Sequence, residues 1–141
     1  MISRRHALAA LFGALAAPRS ARAAAEVELS DLYRAGSGPT DMALELEGDL
    51  VRVRGFMAPP LKAETRFFVL TLTPMPICPF CDEDADWSEQ LLAIYAKRLV
   101  EPAPFWKQIA VTGLLRLGAF RDPETDFLSQ VRLEEAAWET A

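Results

Sequence analysis

The chain has 141 residues, 51% of them hydrophobic, with 20 acidic side chains against 15 basic ones and a formal net charge of −5. Setting aside Arg4, Arg5, Arg19 and Arg22, which stand in an N-terminal stretch without acids, leaves 11 basic side chains and a net charge of −9. So negative a surface repels polyphosphate and anionic headgroups, which argues against a nucleic-acid partner; the hydrophobic content excludes a disordered chain, and the length suits one domain with a single core.

Residues 1–23 read as a targeting signal. Ser3-Arg4-Arg5-His6-Ala7-Leu8 has the twin-arginine pattern, in which paired arginines precede a modestly apolar segment. Ala7 to Ala17 is rich in alanine and too short for a permanent membrane anchor. Ala21-Arg22-Ala23 is an A-x-A site with cleavage expected after Ala23, and Ala25 offers a second option. The expected product is a periplasmic domain spanning 24–141. The only histidine, His6, lies in the signal, so the exported domain is expected to lack imidazole. Ser-His-Asp and Cys-His catalysis, and His-ligated metal sites within one chain, go with it.

In the exported part, Ser30 is placed to cap a short helical turn, and Gly36-Ser37-Gly38-Pro39 reads as a flexible connector. Met42, Leu44 and Leu46 alternate with Ala43, Glu45 and Glu47, which is a strand period, although all these residues are good helix formers. Gly48-Asp49 turns the chain into the clearest strand, Leu50 to Met57, with Val51 and Val53 on one face and Arg52 and Arg54 on the other. Gly55 is expected at a bulge or a bend. Phe67 to Leu72 is a second strand, apolar on both faces and therefore central.

The segment Thr73-Pro74-Met75-Pro76-Ile77-Cys78-Pro79-Phe80-Cys81-Asp82-Glu83-Asp84 follows, with both cysteines of the chain, three prolines and a run of acids. For residues 86–99, Trp87, Leu91, Tyr95 and Leu99 give a helical spacing, while Leu92, Ile94 and Ala96 alternate as in a strand; the first half is expected to be helical. Val100 to Phe105 is a loop and Lys107 to Gly118 a third strand. Asp122-Pro123-Glu124-Thr125 is a turn, Phe127 to Leu133 a last strand, and Glu134 to Ala141 a tail whose Trp138 packs back on the body. The fold class is mainly β: about five strands, economical as a small closed barrel, with a helical or irregular insertion after the C-x-x-C segment.

The order Val51-Arg-Val-Arg-Gly55-Phe56-Met57-Ala-Pro59, Phe67-Phe-Val-Leu70, Cys78-Pro-Phe-Cys81, Ile109-Ala-Val-Thr-Gly113-Leu114-Leu115 resembles a family of small exported bacterial proteins catalogued as a domain of unknown function. The resemblance covers Leu50 to Leu133. It implies an OB-like fold with a cysteine-containing, proline-rich loop, and an extracytoplasmic compartment.

Cys78 and Cys81 admit three chemistries. A C-x-x-C pair supplies two ligands for a soft metal ion such as zinc or copper, with Asp82, Glu83 or Asp84, or the thioether of Met57 or Met75, completing the set. As a disulfide it closes a four-residue ring, which constrains little chain entropy. As a thiol–disulfide oxidoreductase site it would use Cys78 as nucleophile and Cys81 as resolving thiol, yet Asp82, Glu83, Asp84 and Asp86 disfavour a thiolate. The reading favoured here is a non-catalytic accessory or binding module, with Cys78 and Cys81 as its working pair and another exported or membrane protein as partner. Trp87, Trp106 and Trp138 with Phe105 are candidates for a ligand groove, and Glu134-Glu135 reads as solvated surface.

Overall fold

A computed structural model describes residues 23–76 and 89–141 of the chain. The architecture is mainly β. In chain order it comprises β1 (Ala25–Val27), a 3-10 turn (Leu29–Asp31), β2 (Tyr33–Arg34), β3 (Gly38–Pro39), α1 (Asp41–Leu46), β4 (Leu50–Met57), β5 (Phe67–Thr71), β6 (Leu91–Ala96), β7 (Gln108–Arg121) and β8 (Leu128–Thr140). β2 and β3 form a two-stranded sheet of their own.

The other six strands form one sheet in the order β1-β4-β5-β6-β8-β7, and β4 also pairs with β7. The pairings therefore lead from β4 through β5, β6, β8 and β7 back to β4. All are antiparallel except β6 with β8. β4 achieves two different neighbours by splitting its length: Leu50 to Phe56 lies against β7, and Phe56 and Met57 lie against β5. Gly55 stands at that division. A Cβ there would sit 2.6 Å from the Thr71 carbonyl oxygen and 2.9 Å from the Leu70 side chain, so the strand can turn from one neighbour to the other only without a side chain. The expected bend is thus a close backbone approach. The second edge of Val51–Val53 is filled by β1, running parallel.

Inside lies an aliphatic core that includes Val51, Val53, Phe68, Leu70, Leu92, Ile94, Ile109, Val111, Leu115, Val131 and Leu133. These are alternate residues of their strands, as a pleated sheet requires. β5 is buried along all five residues and β6 along its first four, so both carry a second apolar face outward.

Several expectations are corrected. Met42 to Leu46 is helical: Thr40 caps α1 by accepting the Ala43 amide at 3.2 Å. Ala43 is buried and Leu46 half-buried three residues on, while Met42 and Leu44 face out, which is a helical face rather than an alternating one. Ser30 sits inside the 3-10 turn, whose N-cap is Glu28. Of the supposed flexible connector, Gly36 and Ser37 lie in the turn between β2 and β3, and Gly38 and Pro39 are β3 itself, paired with Arg34 and Tyr33. Between the two patterns left open for residues 91–96, the alternation of Leu92, Ile94 and Ala96 prevails, as strand β6. The supposed tail is the second half of β8, paired with β7 out to Thr140. Its burial is discontinuous because Glu135 adopts a φ of 49° and shifts the pleat, which disguises the strand in the sequence.

Candidate functional site

The connection that carries Cys78 and Cys81 leaves the sheet at the end of β5 and returns at the start of β6. Its stem is held by four observed contacts. Thr71 pairs with Leu91. The Leu72 amide donates to the Gln90 carbonyl at 3.0 Å. The Thr71 hydroxyl lies 3.1 Å from the Phe56 carbonyl and 2.7 Å from the Thr73 carbonyl, holding the first turn of the connection against β4. Thr71 is fully buried, so this hydroxyl needs such partners. Thr73, Pro74 and Pro76 are exposed and Met75 is half-buried. Cys78, Cys81, Asp82, Glu83, Asp84, Asp86 and Trp87, and with them the disulfide, metal and exchange readings, lie outside the described residues, as does the first half of the expected helix.

Met57 does not serve as a spare thioether. It is buried in the aliphatic core, and its sulfur accepts the Ala103 amide at 3.4 Å. Among the described residues no group of three or more His, Cys, Asp and Glu side chains is gathered to hold a metal. Glu134, read as solvated surface, is partly exposed and ion-paired: its carboxylate meets Arg132 at 3.0 Å and Arg116 at 3.5 Å. Ala23, the expected cleavage residue, is exposed and stands two residues before β1.

The aromatic candidates separate. Trp106 is 66% exposed and meets Phe105 edge-on at 5.1 Å. Trp138 is half-buried against the core and lines a groove with Leu99 at the far end of β6.

A polar knot that the sequence did not reveal sits on the outer face of β5 and β6. Phe67, Val69, Leu91, Ala93 and Phe127 form a second buried cluster there with Ala58, and Tyr95 packs on it. Phe67 stands 5.1 Å from the Tyr95 ring and 5.2 Å from the Phe127 ring, and Phe120 meets Tyr95 edge-on at 5.7 Å. Phe120 and Phe127 come from the two sides of the β7–β8 hairpin, which therefore folds over this face. Arg132 lies 4.8 Å over the Phe120 ring. The hairpin is fastened by Asp122. Its carboxylate accepts the Tyr95 hydroxyl at 2.9 Å and the amides of Glu124 and Thr125 at 2.8 and 2.9 Å. Burial works to raise the Asp122 pKa, but the Thr125 amide, the Tyr95 hydroxyl and the Glu124 amide outweigh it and hold it below the ordinary value. Burial and, next, the bond to Asp122 push the Tyr95 hydroxyl well above the ordinary phenol range. Asp-Pro with Thr three residues after the Asp marks the turn in the sequence; nothing there points to Tyr95.

A mainly β structure whose six-stranded ladder returns on itself is therefore the class of structure from which the cysteine connection departs. A similar solved structure is that of a DUF3299 family protein from Pseudomonas aeruginosa PAO1, with a TM-score of 0.54 and 15% sequence identity, covering 85% of this chain and 99% of that one. At that identity the likeness is one of fold, to a member of a domain-of-unknown-function family. No family model matches the chain, and no curated protein does. No helix among the described residues is long and apolar enough to cross a membrane.

Proposed function

We propose that this chain is an exported, non-catalytic accessory module built on an OB-like barrel, with the Cys78-x-x-Cys81 segment as its working surface. The barrel reading is supported by the circuit β4-β5-β6-β8-β7-β4 with its single parallel pair. The export reading rests on Arg4-Arg5 and on the A-x-A before Ala23. The observation that carries the functional reading is the stem. The cysteine segment is mounted on the two strands most deeply buried on both faces, and its ends are clamped by Leu72 on Gln90 and by the Thr71 hydroxyl. Such a mounting limits how far the two ends of the connection can move, which suits a binding surface. The acids that follow the motif attract a cation and disfavour a thiolate nucleophile.

In this reading the pair is a disulfide or a two-thiolate site for a soft ion, copper or zinc, and the partner is another exported or membrane protein. The test is metal analysis and thiol counting on the purified exported domain against the Cys78→Ser/Cys81→Ser variant. The proposal expects either bound copper or zinc, or a non-alkylatable disulfide, in the first protein and neither in the second. Two freely reactive thiols without metal, in a protein that turns over disulfide substrates, would overturn it in favour of the exchange enzyme with Cys78 as nucleophile.

A further inference from the structure

At the opposite end of β6 from the cysteine segment, β8 changes from a central strand to an edge. It pairs with β6 from Arg132 to Ala136 and with β7 to Thr140. The Lys97 amide, donating to the Ala136 carbonyl at 2.9 Å, is the last backbone bond on the β6 side. The chain then departs, and the Val100 amide donates to Thr65 at 2.8 Å. Ala137 to Thr140 thus has β7 on one side and no strand on the other among the described residues. Strand alternation fixes which groups face that open side. The Ala136 carbonyl points to Lys97, whereas the Ala141 amide points to Gln108 on β7, so the amides and carbonyls of Trp138 and Thr140 line the open edge. The contrast with β4 is informative, because there β1 covers the edge left vacant by the split.

The open edge borders a groove of about 480 Å³, lined on the other side by the chain from Lys97 to Glu101. Lys97 and Arg98 are exposed, and neither has a carboxylate within ion-pair distance among the described residues. Leu99, 60% exposed, and Trp138 supply apolar surface. Glu101 is the acid in the lining, and the nearby Glu139 is held by Arg52 at 2.6 Å. A Lys-Arg dipeptide with no ion-pair partner among the described residues, beside open strand hydrogen-bonding groups in a chain of net charge −5, selects an extended ligand that carries carboxylates.

We propose that this edge of β8 binds an extended acidic segment of a partner protein by strand addition, with its backbone on Trp138 and Thr140, its carboxylates on Lys97 and Arg98, and an apolar side chain on Leu99 and Trp138. The probe is a labelled ten-residue peptide of alternating glutamate and valine, titrated into the exported domain. Binding that shifts the Trp138 and Thr140 amide resonances, and that weakens about tenfold or more in Lys97→Glu/Arg98→Glu and with added salt, is the expected result. The same peptide N-methylated at alternate residues should lose binding, because it cannot complete the ladder. Both substituted side chains are exposed, and an unchanged melting curve verifies that the variant folds. Equal binding by the charge-reversed variant or by the N-methylated peptide would overturn the proposal, as would no binding of the acidic peptide. Concentration-dependent dimers lost on blocking β8 would assign the edge to a second copy, and co-sedimentation with phosphatidylglycerol vesicles without peptide binding would assign it to a membrane; either overturns the partner segment.

Discussion

The sheet carries two buried clusters, one on each side of β5 and β6, and they are held by different means. The inner one is mostly aliphatic and draws alternate residues from β4 to β8, so its cohesion comes chiefly from burial. The outer one is built of Phe67, Val69, Leu91, Ala93 and Phe127 with Tyr95 at its rim, and it is closed by a hairpin whose position depends on Asp122. Apolar packing suffices where five strands surround a core. Where a single two-stranded ribbon must lie on an apolar face, a buried carboxylate with three donors fixes how it lies.

That comparison can be broken most forcefully from the inside. Phe68→Ala is expected to cost about 4 kcal/mol in urea denaturation, because a fully buried ring leaves a cavity that a closed ladder cannot collapse around. Phe67→Ala, one residue away on the opposite face, should cost about 3 kcal/mol, since the hairpin that covers it can resettle. Equal costs would mean that the hairpin is as rigid as the sheet. Asp122→Ala should cost about 2 kcal/mol by leaving the Tyr95 hydroxyl and two amides without an acceptor, and amide exchange should rise in the hairpin but not in β4.

The pH dependence sharpens the same contrast, because none of the fully buried side chains of the inner cluster titrates. Asp122 has a lowered pKa, so its contribution is present above the ordinary carboxylate value of 3.8 and is lost as pH falls through the lowered one. Tyr95 has a raised pKa, so its contribution is complete below the ordinary value of 10.0 and declines as pH rises toward the raised one. Thermal melts across pH should therefore show both declines, with Asp122→Asn flattening the acid arm and Tyr95→Phe the alkaline arm. The smallest effect belongs to Arg52, whose pKa is raised chiefly by its bond to Glu139 and which also meets Glu26 at 3.1 Å. Arg52→Ala should leave the urea midpoint almost unchanged, because these partners are exposed and solvent screens the pair.

The inner cluster was legible in the sequence because Val51-Arg52-Val53-Arg54 and the apolar run from Phe67 follow the strand period directly, and Gly55 announced the place where β4 changes neighbours. The outer cluster was not, because Tyr95 and Asp122 are 27 residues apart and meet only when the hairpin folds over. α1 was hidden by a coincidence of patterns, since Met42, Leu44 and Leu46 alternate whether or not they are helical; Thr40 as its cap was the available signal. The second half of β8 was hidden by the irregular backbone at Glu135. β1 carries three residues and pairs in parallel, which leaves no periodic trace. Of the site, the strand that leads into the cysteine segment, β5, was legible, whereas the strand that follows it, β6, and with it the Leu72–Gln90 stem, was not, because its residues also fit a helix.

The central functional claim is that Cys78 and Cys81 are held and displayed rather than turned over. The most direct measurement is the rate at which the domain spanning 24–141 catalyses dithiol exchange on a peptide disulfide in a glutathione buffer. The account predicts a rate no higher than that of the buffer alone and unaltered by Cys78→Ser. Multiple turnovers that vanish in Cys78→Ser would contradict it.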